Sequence, residues 1–215
     1  MENQDRVILI NKPLEWTSFD VVNKLRKKLK IKKIGHAGTL DPLATGLLIL
    51  CTGKLTKQID TFQAQEKEYT GNLVVGQTSP SHDLETPVSE ARDISLLSEA
   101  SIFEAAKKFT GILQQIPPVH SAIKIDGKRS YKLARKGKDP ELKPREVNVS
   151  EFEITSIQLP IVSFRIVCSK GTYIRSIVRD MGEELGVGAY LSKLCRTRIG
   201  QFHLSDALSI DEVNL

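Results

Sequence analysis

Cysteine is scarce in this chain: Cys51, Cys168 and Cys195 are far apart, odd in number and free of any C-x-x-C spacing. That excludes a disulfide framework and a local thiolate metal motif, and leaves reduced, mostly buried thiols. The four histidines, His36, His82, His120 and His203, are just as dispersed, so they form no recognisable zinc pattern. Long apolar runs are missing too. No stretch reaches the ~18 residues that a membrane-spanning helix needs, and the start Met-Glu-Asn-Gln-Asp-Arg lacks the basic and apolar segments of a signal peptide. A soluble, cytoplasmic protein without a membrane partner is expected. A phosphate loop is also excluded, although Gly53-Lys54 invites one: Leu48 stands where the earlier glycine is needed and Leu55 where Ser or Thr is needed.

What is present suffices for a core. A chain of 215 residues buries roughly 70 to 75% of its unfolded surface and needs no staples. The net charge is +5, with 31 Lys and Arg against 26 Asp and Glu, and the isoelectric point is near 9.0. Such a balance favours an anionic partner without identifying it.

Arg6 to Ile10 reads as a short strand leading to Lys12-Pro13 and the solitary Trp16. A helix capped by Thr17 or Ser18 follows, with Phe19, Val21, Val22, Leu25 and Leu29 as its apolar stripe. Seven cations in ten residues, from Lys24 to Lys33, close it. They suit either a solvated helix end or contact with a nucleic-acid backbone. Leu47 to Cys51 predicts a central strand, about Leu55 to Gln63 a helix, and Lys67 to Val75 another strand. Residues 76 to 95 are rich in turn formers. Ser98 to Phe109 fits an amphipathic helix with Ile102, Phe103, Ala106 and Phe109 on its apolar face. Residues 117–146 carry nine cations interleaved with Tyr131 and few apolar residues, either a solvated insertion or a basic arm for RNA phosphates. Val147 to Cys168 reads as two strands joined at Pro160. Thr172 to Leu185 reads as a helix whose early Arg175 opposes the dipole preference and therefore calls for an anion, with Asp180 or Glu183 as ordinary surface partners.

The stretch that stands apart is Gly-His-Ala-Gly-Thr-Leu-Asp-Pro-Leu-Ala-Thr-Gly, residues 35–46. One carboxylate, Asp41, sits among Gly35, Gly38 and Gly46, with Pro42 fixing the backbone directly after it. The plain reading makes Asp41 a helix N-cap with Pro42 at the first helical position. The functional reading makes this a rigid loop that holds a reactive acid.

Taken whole, residues 36–46 closely resemble the catalytic motif of the TruB family of tRNA pseudouridine synthases. The resemblance continues through Lys12-Pro13, Lys67-Glu68-Tyr69, Pro117-Pro118 with Ser121-Ala122, Lys170 to Arg175 and Leu194 to Thr197, covering nearly the whole chain. The family's Thr-Asp-Thr-x-Asp pattern is met only by Thr78 and Asp83, so no catalytic role is carried onto that loop. The resemblance implies an α+β fold, with a mixed, largely antiparallel sheet, flanking helices and a basic RNA-gripping insertion at about 117–146. It implies a single catalytic domain over 1–215, with no room for the small C-terminal PUA domain of many relatives.

The implied activity is isomerisation of uridine to pseudouridine at the tRNA T-loop position called 55, with the tRNA T-stem loop as partner. No cofactor and no metal is expected, and a monomer is. Asp41 would be the nucleophile, Arg175 its charge partner, and Tyr69 the aromatic that stacks on uracil and takes part in removing a proton. Tyr173 and Leu194 would complete the pocket, and His36 would help to hold the opened RNA loop. Lys12 is left outside the catalytic set. Two rivals use the same cations and aromatics: a tRNA-folding chaperone without catalysis, and a pseudouridine synthase for another RNA. The chaperone has no use for an ionised Asp41 facing a phosphate polymer.

Overall fold

A computed structural model describes residues 5–121, 124–125, 127–134 and 142–214. The chain forms two compact units, Met1–Thr70 with Lys193–Leu215, and Gly71–Ser192.

The first unit is built on β3 (Ala44–Thr52). Strand β1 (Val7–Lys12) lies antiparallel along one edge, from Val7 opposite Cys51 to Lys12 opposite Gly46. The other edge is shared: β10 (Ala189–Ile199) runs parallel to the start of β3, with Leu194 opposite Ala44 and Arg196 opposite Gly46, while β2 (Ile34–His36) pairs with its end. The near-continuous apolar run of β3 is explained by burial on both faces. Leu48 and Leu50 join Ile8, Ile10, Val21, Val22 and Leu25 in one core, whereas Leu47, Ile49 and Cys51 join Ala37 and Ile199 in another. This alternation is the period of two that a strand imposes.

Helix α1 (Ser18–Lys28) supplies much of the first core. Thr17 caps it, with Asp20 reaching back to complete the capping box, an arrangement worth about 1 kcal/mol. Phe19, expected on the apolar stripe, is instead 59% exposed, because the buried face is set by Ser18, Val21, Val22 and Leu25. After β3 the predicted helix begins as a 3-10 helix (Gly53–Gln58) and becomes α2 only over Ile59–Ala64. Strand β11 (Phe202–His203) closes a hairpin with β10.

The second unit contains a sheet in the order β4, β9, β8, β5. Its strands are β4 (Lys67–Val75, which begins in the first unit), β5 (Gly111–Gln115), β8 (Arg145–Gln158) and β9 (Ile161–Cys168). Strands β8 and β9 form one long hairpin that turns through a cis Leu159–Pro160 bond. Two helices, α3 (Glu99–Lys108) and α5 (Ile174–Glu184), pack in this unit. Ser98 caps α3, and Ile102, Ala105 and Ala106 are its buried residues, while Phe103, expected inside, is 44% exposed. Between β5 and β8 lie the short hairpin β6 (Lys124–Ile125) and β7 (Lys128–Arg129), and a helical turn, α4 (Ser130–Ala134). The fold is α+β with a mixed, largely antiparallel sheet, the β3–β10 pair being parallel.

Candidate active site

Asp41 lies on the loop that joins β2 to β3, and no helix follows it. Residues 42 and 43 turn directly into the strand, so the helix-cap reading of Asp41 is overturned. The loop's polar backbone groups are tied down one after another, as a buried turn requires. Arg196 Nη2 donates to the Gly38 carbonyl at 3.1 Å. The Leu40 N–H donates to Ser18 Oγ at 2.9 Å, and the Asp41 carbonyl accepts from the Ala44 N–H at 3.0 Å. The Pro42 carbonyl accepts from the Glu15 N–H at 2.8 Å and from the Lys12 ammonium at 3.3 Å. Gly38 and Gly46, with φ of 97° and 104°, take the left-handed conformations that glycine accommodates without strain.

Two cations are buried beneath this loop. The Lys12 ammonium also donates to the carbonyls of Pro13 at 2.9 Å and Trp16 at 2.5 Å. Arg196, 1% exposed, donates from Nε to the Leu47 carbonyl at 2.8 Å. Burial pushes the Lys12 amine down to about 8, with Asp41 and Asp20 opposing the shift and Arg196 adding to it. Lys12 is thus a site neighbour that motif reading leaves out. Its signal was present in the strand period: Lys12 is in phase with the buried Ile8 and Ile10, as Arg196 is with Leu194.

The first unit also holds His36, Tyr69 and Leu194. His36 is the last residue of β2, and burial, chiefly, lowers its ring below the usual imidazole range. Tyr69 is buried in the part of β4 that belongs to this unit, and Leu194 is buried opposite Ala44, three residues beyond Asp41.

Tyr173 and Arg175 belong to the second unit. Tyr173 is the N-cap residue of α5 and offers no side-chain cap; the Gln115 amide does the anchoring. Its oxygen accepts the Tyr173 N–H at 2.8 Å, and its nitrogen donates to the Tyr173 carbonyl at 3.1 Å. The Arg145 guanidinium stacks over the Tyr173 ring at 4.5 Å, a favourable cation–π arrangement.

Arg175 is buried. In this unit it faces Asp83 at 3.6 Å and donates to the carbonyls of Ser81 at 3.1 Å and His120 at 2.9 Å. Asp180, one of the surface partners considered from sequence, pairs with Arg179. Sequence reasoning assigns no role to the 78–83 loop, yet that loop supplies the carboxylate and one of the carbonyls that seat Arg175. The loop is itself braced: Ser79 Oγ donates to the Asp83 carbonyl, and the Thr86 N–H donates to Ser81 Oγ. At its tip His82, with φ of 61°, is pushed down to about 4 by burial first and then by the charges of Arg179 and Arg175.

Of the basic insertion, the Lys132 side chain and the residues Arg135, Lys136 and Lys138 lie outside the described residues. Lys24, Lys27, Lys30, Lys32 and Lys33 of the earlier cation run are exposed. Among the described residues no group of three or more His, Cys, Asp or Glu could hold a metal ion, and no helix is long and apolar enough to cross a membrane.

Comparison with known proteins converges on one family. Residues 26–174 match the N-terminal domain of the TruB family pseudouridylate synthases, and residues 175–215 match the tRNA pseudouridylate synthase B C-terminal domain. The chain is 51% identical over 214 residues to tRNA pseudouridine synthase B of Parabacteroides distasonis, covering 97% of this chain and 91% of that protein. It is 50% identical over 214 residues to the protein of that name from Flavobacterium johnsoniae, covering 96% and 93%. Among solved structures, a Cbf5–Nop10–Gar1 complex aligns with a TM-score of 0.73 at 29% identity, over 96% of this chain and 52% of that one. An H/ACA RNP bound to a substrate RNA containing 2′-deoxyuridine gives 0.72 at 28% identity, over 96% and 51%. The chain thus spans about half the length of the chains in those two structures and nearly all of its bacterial relatives. With a match from residue 26 to 215 and about half of its residues identical to relatives aligned over nearly the whole chain, the chain belongs to the TruB family of pseudouridine synthases.

Proposed function

We propose that this chain isomerises uridine to pseudouridine in tRNA, at the T-loop position called 55, working as one monomeric catalytic domain in the cytoplasm. The observation that carries the reading is the Asp41 loop: one carboxylate on a backbone whose polar groups are individually bonded, with a buried ammonium in its field. A nucleophile held this way loses little entropy on reaching its target.

In the reaction the C1′–N1 bond breaks and a C1′–C5 bond forms. C5 gives up its proton and N1 ends with one. Asp41 attacks the ribose C1′ or the base as a carboxylate nucleophile, and Arg175 and the buried cations favour its ionised form. Tyr69 stacks on the uracil and assists removal of the C5 proton. Tyr173 and Leu194 wall the pocket, and His36 holds the RNA loop from which the base has been extruded. The cations of residues 24–33 and of the 117–146 insertion grip phosphates. This scheme uses side chains alone, and no cofactor or metal is invoked.

The test is incubation of the wild type and Asp41→Asn with unmodified tRNA, followed by mapping of pseudouridine. Wild type should modify the T loop, whereas Asp41→Asn should bind tRNA with near-unchanged affinity and make no pseudouridine. An active Asp41→Asn enzyme would refute the nucleophile, and modification at another site would refute the substrate assignment.

A further inference from the structure

We infer that Arg196 is a positioning residue for this reaction, holding the Asp41 loop by its two ends. The inference rests on the assignment of Asp41 as nucleophile. The Arg196 guanidinium spans two carbonyls, Gly38 three residues before Asp41 and Leu47 six residues after it, so one rigid plane closes the segment that carries the acid. Its attachment is equally firm from below. A Cβ placed on Gly46 would lie 2.4 Å from the Arg196 carbonyl oxygen and 2.7 Å from its nitrogen, so β10 is pressed against the first residues of β3.

The choice of a charged residue calls for an explanation. A buried guanidinium whose partners are carbonyl oxygens has lost its hydration without gaining an ion pair from those bonds, a cost of several kcal/mol in general. A neutral amide could hold one of those carbonyls without that cost. Lys12 repeats the pattern, with an ammonium seated on three carbonyls in the same small volume. Two like charges buried so close together repel, and Lys12 feels Arg196 as a repulsion and Asp41 as an attraction. The group that reconciles them is the Asp41 carboxylate. Arg196 therefore fixes where the nucleophile sits and, with Lys12, keeps it ionised. Planarity gives it the first role and permanent charge the second.

The experiment uses the full chain and compares Arg196→Met, Arg196→Gln and Arg196→Lys with wild type and Asp41→Asn. Single-turnover pseudouridine formation, tRNA binding and urea unfolding are measured on each. Arg196→Met and Arg196→Gln should slow the chemical step about 100-fold, the effect of misplacing a reacting group by about 1 Å, with the Kd for tRNA changed less than about threefold. Arg196→Lys, which keeps the charge but cannot span both carbonyls, should recover part of the rate and remain about tenfold slow.

Should Met and Gln prevent folding, the Lys variant alone decides. A wild-type rate in it, or equal losses of rate and tRNA affinity, would overturn the inference. A wild-type rate in a folded Arg196→Met protein would overturn it likewise, while leaving the Asp41 reading intact if Asp41→Asn is inactive. Activity in Asp41→Asn would instead remove the reading on which the inference rests.

Discussion

Replacing His82 by Asn should flatten the acid destabilisation of this protein. The His82 ring is held neutral by burial, and the nearby charges of Arg179 and Arg175 and the neighbouring His120 add to the effect, with the Ser79 backbone alone opposing it. The folded-state value is about 4 against an ordinary 6.5. Between these limits the unfolded chain binds a proton that the folded chain refuses. The contribution of this group to stability is therefore complete above pH 6.5 and is lost as pH falls through 4.

A separation of two to three pH units corresponds to about 3 kcal/mol at 1.36 kcal/mol per unit, a large share of a typical margin of 5–15 kcal/mol. Asn is the suitable replacement because it tolerates the positive φ of 61° found here and does not titrate. Urea unfolding at pH 7 and pH 4 gives the assay, and every other titrating group cancels in the difference between the two proteins. Wild type should lose about 3 kcal/mol more than His82→Asn over that interval. Equal losses in both proteins would show that His82 is protonated at little cost and that the loop seating Arg175 is wetter than its geometry indicates.

Lys12, depressed to about 8 by burial, works in the alkaline range. Its folded value lies below the unfolded 10.5, so relief of the burial cost should appear as pH rises from 8 to 10.5, and Lys12→Met should lack this rise in urea titrations. Loss of the ammonium charge beside Asp41 should lower turnover as pH rises through about 8, the folded value, as a pH profile of single-turnover rates would reveal. Tyr69→Phe keeps the stacking face and removes the hydroxyl, so tRNA binding should survive while turnover falls sharply; an unchanged rate would leave Tyr69 as a packing residue. Neutralising Lys132, Arg135 and Lys136 together should weaken tRNA binding and reduce the salt slope by about 3 units, a result read from binding isotherms at several salt concentrations.

Strand β3 and helix α1 were legible in the sequence because β3 carries an unbroken apolar run and α1 a helical stripe, and local pattern suffices where one element dictates one face. Phe19 and Phe103 show the limit. Each fits its helix's apolar spacing, yet small buried residues, Ser18 in α1 and Ala105 in α3, define the face that packs. Strands β2 and β5 were missed, being short segments whose assignment depends on partners far along the chain.

The site divided in the same way. Glycine and proline marked the Asp41 stretch as a constrained turn but left a helix cap equally open, and only the strand that starts at Ala44 decides for the loop. The bracing could not be read, because Lys12, Ser18 and Arg196 reach the loop from three different elements. Asp83 matched the family's loop pattern, yet its role was hidden for a further reason: it lies in contact with Arg175, some 90 residues on, and nothing in the local Ser-Pro-Ser-His-Asp composition announces that contact.

Gly46 carries a consequence for how inactive variants of this enzyme are interpreted. A single added carbon there meets the backbone of Arg196 and the Cys195 sulfur at 2.9 Å or less, in a conformation that already excludes most side chains. The strand must then part from its parallel neighbour, carrying away both the anchor of the acid's loop and the Leu194 register. Alanine at position 46 would thus silence the enzyme while every group with chemistry to perform remained in place. In a scan that scores only activity, it would be indistinguishable from Asp41→Asn.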